Sequence, residues 1–236
     1  MVEELLKAGR YEEARLRLRA GEGSAQEVAS FEALLELRGA LREKQYTQVQ
    51  KILGRDADLL APYLNVEAVH RALEAFEGED PALIQPFTDD PHLGAEAWVV
   101  LGVLRIRSGD RAGAKAAFEE ALRRDGGHYR AKTNLGNLAL EAGQVDEAIR
   151  IYQEVLKQHE NYGHAHHNLG AAYRKKGQLD KSVYHIKRAQ RLMFLGGGAS
   201  PSRSSPQAPR PLLSNLGQRW WIWLIVIVVV WFLLRR

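Results

Sequence analysis

The sequence has no cysteine, which excludes disulfide cross-links and thiolate metal sites. No Asp or Glu follows Asp180, whereas nine Lys or Arg stand from Lys181 onward. The first 180 residues thus hold 24 basic against 29 acidic groups, a net charge of −5, and the tail carries +9. An acidic body with a basic tail points to an anionic surface near the C-terminal end, lipid or nucleic acid. Phosphate loops, dinucleotide fingerprints and Ser or Lys nucleophile motifs are all missing. Asp89–Asp90 and the trio Glu77, Glu79 and Asp80 read as solvated loop charges, so neither an enzyme nor a cofactor is expected. The start, Met1 to Leu6, lacks the basic opening and long apolar run of a signal peptide.

What the sequence does have is a period of 34 residues. Leu101-Gly102, Leu135-Gly136 and Leu169-Gly170 recur at that step. The same step relates Ala97, Ala131 and Ala165; Gly109, Gly143 and Gly177; Ala114, Ala148 and Ser182; and Phe118, Tyr152 and Ile186. Each unit reads as two helices. In the first, residues 95–108 form helix A and 111–124 form helix B, with Gly109-Asp110 as the break, because glycine tolerates positive φ. Small residues at the Gly102 and Ala114 columns let the two backbones approach, and the Phe118 column fills the space beside them. One pair cannot bury enough apolar surface to stand alone, so the pairs are expected to stack as a solenoid.

These residues resemble the tetratricopeptide repeat family. Trp98, Leu101, Gly102, Ala114, Phe118 and Ala121 match its pattern in the first unit. Leu135, Gly136, Ala148 and Tyr152 match in the second, and Leu169, Gly170, Tyr173 and Ala189 in the third. The family's proline at the end of helix B is replaced by Gly126 and Glu160. The fold expected is all-α: a helix-turn-helix solenoid plus a single C-terminal transmembrane helix. Residues 95–195 form three repeats (95–128, 129–162 and 163–195). Residues 1–94 read as degenerate pairs of the same kind, since the turn-and-helix theme at Gly9-Arg10-Tyr11 returns at Lys44-Gln45-Tyr46. Ala25 to Glu43 reads as one helix and Tyr63 to Phe76 as another; Gly78 to Gly94, with Pro81, Pro86 and Pro91, reads mainly as loop with room for one short helix.

Residues 196–219, rich in Gly, Ser, Pro and Arg and devoid of acid, read as a flexible linker. Residues 220–234 are uncharged and apolar. As a helix they would span about 22 Å, short of a hydrocarbon core of about 30 Å. Trp220, Trp221, Trp223 and Trp231 would sit at interfaces, with Arg219, Arg235 and Arg236 reaching outward. The sequence thus predicts a tail-anchored, single-pass protein with a cytoplasmic N-terminal domain. The bacterial plasma membrane is favoured and the mitochondrial outer membrane is the alternative. Its partners would be membrane lipid and protein, and no nucleic acid.

By the resemblance, A helices line a concave peptide-binding surface. There stand Arg130, Asn134, Asn137, His167, Asn168 and Arg174, alongside Thr133, His164 and Lys175. Asn134 and Asn168 are one repeat apart, and side-chain amides at that spacing can pair with the backbone of an extended peptide. Family members also clamp a C-terminal carboxylate with Lys and Asn, but Thr133 holds the position expected for that Lys. His159, His164, His166 and His167 invite a metal reading; no carboxylate in the same helix completes such a site, and no metal is expected. The terminal helix, Leu179 to Leu195, is expected to leave Val183, Ile186 and Met193 partly exposed, either as a docking face for a partner or the bilayer or as a self-capped end kept soluble by Lys187, Arg188 and Arg191. The function implied is a membrane-anchored interaction scaffold or adaptor. The alternative is an assembly chaperone or accessory subunit of one membrane complex.

Overall fold

The computed structural model describes residues 1–196, with side chains through Phe194. Thirteen α-helices follow one another among the described residues: α1 (Val2–Lys7), α2 (Tyr11–Arg19), α3 (Ala25–Arg42), α4 (Tyr46–Arg55), α5 (Ala57–Leu60), α6 (Val66–Gly78), α7 (Pro81–Ile84), α8 (Gly94–Arg107), α9 (Arg111–Arg124), α10 (Tyr129–Glu141), α11 (Val145–Gln158), α12 (Gly163–Lys175) and α13 (Leu179–Gly196). A 3₁₀ turn, Gln85–Phe87, lies between α7 and α8.

The pairs α8–α9, α10–α11 and α12–α13 repeat one local design. At each turn a glycine takes the left-handed conformation: Gly109 at φ +85°, Gly143 at +81° and Gly177 at +81°. The next amide then reaches back across the turn, from Asp110 to the carbonyl of Arg105, from Gln144 to that of Ala139, and from Gln178 to that of Tyr173. A Cβ on these glycines would meet nothing, so backbone conformation alone selects the residue. The column inside helix A obeys a different rule. A Cβ on Gly102 would come within 2.5 Å of the Phe118 ring, on Gly136 within 2.6 Å of the Tyr152 ring, and on Gly170 within 2.8 Å of Ile186. There the ring or branched side chain of helix B lies directly on the helix A backbone, and contact leaves no room.

Apolar burial is local along this array. Ala114, Phe118, Ala121 and Ala131 share one cluster, and Ala148, Ile149, Tyr152, Leu169, Ala172 and Tyr173 share another. A larger cluster joins α1 to α8 through Leu6, Leu34, Leu37, Ile52, Leu73 and Phe76. In that N-terminal part, α3 starts from a capping box in which Ser24 accepts from the Glu27 amide and Glu27 accepts from the Ser24 amide. Asn65 caps α6 by accepting from Ala68, which sets its start later than the apolar pattern from Tyr63 suggests. In the proline-rich stretch the short helix is α7, capped by Asp80, and the 3₁₀ turn follows it.

The expected transmembrane element is corrected. Among the described residues no helix is long and apolar enough to cross a membrane. The segment 220–234, with Trp220, Trp221, Trp223, Trp231, Arg219, Arg235 and Arg236 in and around it, lies outside the described residues, as does the linker 196–219 beyond its first residue. The single-pass placement and the membrane localisation built on it are withdrawn with that element. A short apolar run of this kind signals hydrophobicity; alone it does not establish a spanning helix.

Candidate functional site

Helix α10 carries Asn134 and Asn137 on one face, and α12 brings Asn168 beside them. The Asn168 Nδ2 donates to Asn137 Oδ1 at 2.8 Å, and the Tyr152 hydroxyl from α11 donates to the same oxygen at 2.7 Å. Asn137 Nδ2 in turn approaches Asn134 Oδ1 at 3.4 Å. Three amides from two consecutive repeats therefore form a chain, held from below by a buried tyrosine. Among the described residues, Asn134 Nδ2 and Asn168 Oδ1 make no hydrogen bond within the chain, which leaves one donor and one acceptor to present outward. His167 and Arg174 are exposed beside them. Lys175 donates to the Leu140 carbonyl at 2.9 Å and ties α12 to the end of α10.

Arg130 behaves differently from its neighbours on α10. Its Nη1 lies 2.9 and 3.0 Å from the two carboxylate oxygens of Glu96, and 3.3 Å from the carbonyls of Leu41 and Arg42. Thr133 is buried and donates to the Tyr129 carbonyl at 2.7 Å, so it offers nothing to a carboxylate ligand. The histidines do not converge. His164 and His167 are exposed, His159 packs against Tyr129, and His166 is buried with its Nδ1 2.9 Å from that of His185. Among the described residues, no three His, Asp, Glu or Cys side chains are placed to hold a metal ion.

Glu96 is the centre of a polar network that the residue pattern alone did not reveal. It is 1% exposed, accepts from the Tyr46 hydroxyl at 2.8 Å, and meets His128 Nε2 at 3.2 Å besides Arg130. His128 Nδ1 faces the Ala131 amide at 3.4 Å and caps α10, so its Nε2–H is the donor to Glu96. Burial pushes the Glu96 carboxyl up, but the His128 hydrogen bond and the Arg130 charge outweigh it and hold it below the usual range. Next to it Asp125, in the turn between α9 and α10, takes Arg38 and Arg42 from α3. Burial again pushes upward, and again the Arg42 hydrogen bond and the two guanidinium charges hold the carboxyl down. Tyr11 donates to or accepts from His92 Nδ1 at 2.6 Å, with Arg38 4.5 Å above its ring.

One sequence signal does point to this network. Glu96 and Arg130 are 34 residues apart, at the same place in adjacent A helices, and carry opposite charge. Neighbouring A helices bring such positions together, so the pair could have been read as an ion pair across repeats. The partners from α3 and α4 could not, because Arg38 and Arg42 stand 87 and 83 residues from Asp125 and Tyr46 stands 50 from Glu96, separations that follow no period.

No curated protein matches the chain in sequence. Among solved structures, a crystal structure of MamA protein resembles it with a TM-score of 0.42 and 18% identity, over 70% of this chain and 92% of that one. A second crystal structure of MamA gives 0.46 and 19%, over 74% and 97%. The tetratricopeptide repeat family model matches residues 105–173 and 139–189, the stretch that holds the left-handed glycine turns at Gly109, Gly143 and Gly177. Over residues 105–189 the chain is similar to the tetratricopeptide repeat family.

Proposed function

We propose that the chain is a protein-interaction scaffold that holds an extended segment of a partner along the concave face of its repeats. Asn134, Asn137, His167, Asn168 and Arg174 are the contacts, and Arg130, turned to Glu96, closes one end of the surface. The repeats are assigned to residues 95–195, with residues 1–94 as degenerate helix pairs docked on them. Support comes from the amide chain: Asn134 and Asn168 each keep one outward hydrogen-bonding group, one a donor and one an acceptor. An extended backbone offers the matching pair. Arg174 adds preference for an acidic or C-terminal segment.

The test is Asn134→Ala combined with Asn168→Ala, leaving Asn137 to keep Tyr152 satisfied. Recovery of co-purifying partner should fall at least about tenfold, corresponding to ~1.4 kcal/mol. The melting temperature should hold within a few degrees. Unchanged recovery at an unchanged melting temperature would mean that the face is not the recognition surface.

A further inference from the structure

We propose that the second repeat receives a tyrosine side chain from a partner polypeptide, in an aromatic slot that its own sequence leaves open on the helix B side. In the third repeat Tyr173 fills the equivalent place. Its ring stacks on His185 at 5.6 Å, lies 5.2 Å from the Lys181 ammonium, and packs in the cluster that contains Ile149. Its hydroxyl accepts from Gln153 Nε2 at 3.0 Å. One tyrosine therefore wedges α11, α12 and α13 together.

Subtracting the 34-residue period gives the same place in the second repeat. Tyr173 becomes Ala139, and the four neighbours become Ile151, Glu147, Lys115 and Glu119. All five of those residues line one half-open cavity of about 830 Å³ between α9, α10 and α11. The cavity and the register are independent observations, and they coincide. Replacing a phenol by a methyl group removes the wedge; Leu138, standing where Ala172 is in the third repeat, fills only part of the space and stays partly exposed.

The walls specify what fits. Leu135, Leu138 and Ile151 supply an apolar floor, and Arg111 with Glu141 (3.0 Å) closes one end. Glu119 occupies the position from which Gln153 meets the Tyr173 hydroxyl. A carboxylate there accepts a hydrogen bond, so the complementary ring carries an O–H donor. The volume exceeds one ring and leaves space for the backbone that carries it, within the size range of ordinary ligand sites, about 300–1,000 Å³. In the first repeat the column holds Arg105, whose guanidinium donates to the Gly113 carbonyl at 3.0 Å. The open slot is thus a property of the second repeat among these three.

The experiment uses the full chain with labelled methyl groups and p-cresol as probe, with toluene as the probe lacking a hydroxyl. Methyl resonances of Leu135, Leu138 and Ile151 should shift with millimolar p-cresol, and toluene should need about tenfold more. Ala139→Tyr should abolish the shifts while keeping or raising the melting temperature, and Ala139→Phe should do the same without a hydroxyl. Absence of shifts in the parent protein overturns the proposal, as do parental shifts in both variants. Equal response to toluene overturns the tyrosine assignment. Failure of both variants to fold overturns it too, since the register would then not describe a space that accepts a ring.

Discussion

The turn between α8 and α9 and the turn between α3 and α4 have the same backbone, but different residues make them. Gly109 sits at φ +85° in the first; Lys44 sits at φ +58° in the second. In both, the following amide returns to a carbonyl five residues back, Asp110 to Arg105 and Gln45 to Ala40. The repeats use the residue that holds this conformation without strain, and the N-terminal pair imposes it on a side chain. The two regions also differ in what joins them to their neighbours. Along α8–α13 the apolar clusters are small and local, whereas α1 to α8 share one large apolar cluster, to which α3 and α4 add Arg38, Arg42 and Tyr46 on buried Asp125 and Glu96. A polar joint tolerates no half-measures, because one missing partner leaves a buried charge alone.

The joint is where the largest effect is expected. Glu96→Gln removes the charge that faces Arg130 and should cost about 3–5 kcal/mol, read by chemical denaturation. The pH dependence follows from the sign of the shifts. Glu96 and Asp125 lie below their ordinary values of 4.5 and 3.8, so the folded form gives up its protons more readily than the unfolded chain. Their stabilisation is complete above those ordinary values and is lost as pH falls through the lower, folded-state values. A melting temperature that drops steeply below about pH 4 in the parent, and less steeply in Glu96→Gln, is the expected result. Parallel acid limbs would show that the joint is not held by the Glu96 charge.

A second change tests the apolar side of the contrast. Gly136→Leu drives a side chain into the Tyr152 ring and should cost about 3 kcal/mol, followed by thermal unfolding with circular dichroism. Gly39→Ala, in α3, meets nothing within 4 Å and should be neutral or slightly stabilising. Equal effects from the two would erase the distinction between a contact glycine and a bystander. The smallest effect belongs to the strained turn. Lys44→Gly should stabilise by about 1 kcal/mol by relieving the left-handed conformation, visible as a small rise in melting temperature. A loss of stability would mean that the Lys44 side chain, 3.6 Å from Glu79, contributes more than its backbone costs.

The all-α pairs, their turns and the glycine columns followed from the sequence alone. They depend on interactions within 34 residues, and every repeat states them again. The amides Asn134 and Asn168 were legible for the same reason. Asn137 gained its role only from the fold, which brings Tyr152 and Asn168 to a single oxygen. The tertiary structure also decided what Arg130 does. On its own helix it reads as a groove residue; the arrival of Glu96 and the end of α3 makes it part of a buried joint. The cavity beside Ala139 belongs to the same category, since an alanine in one column declares a missing ring only once three helices surround it. Local period fixes which residues repeat, while burial and long-range partners fix what each repeated residue touches. That is why the repeats were read directly and the joint was not.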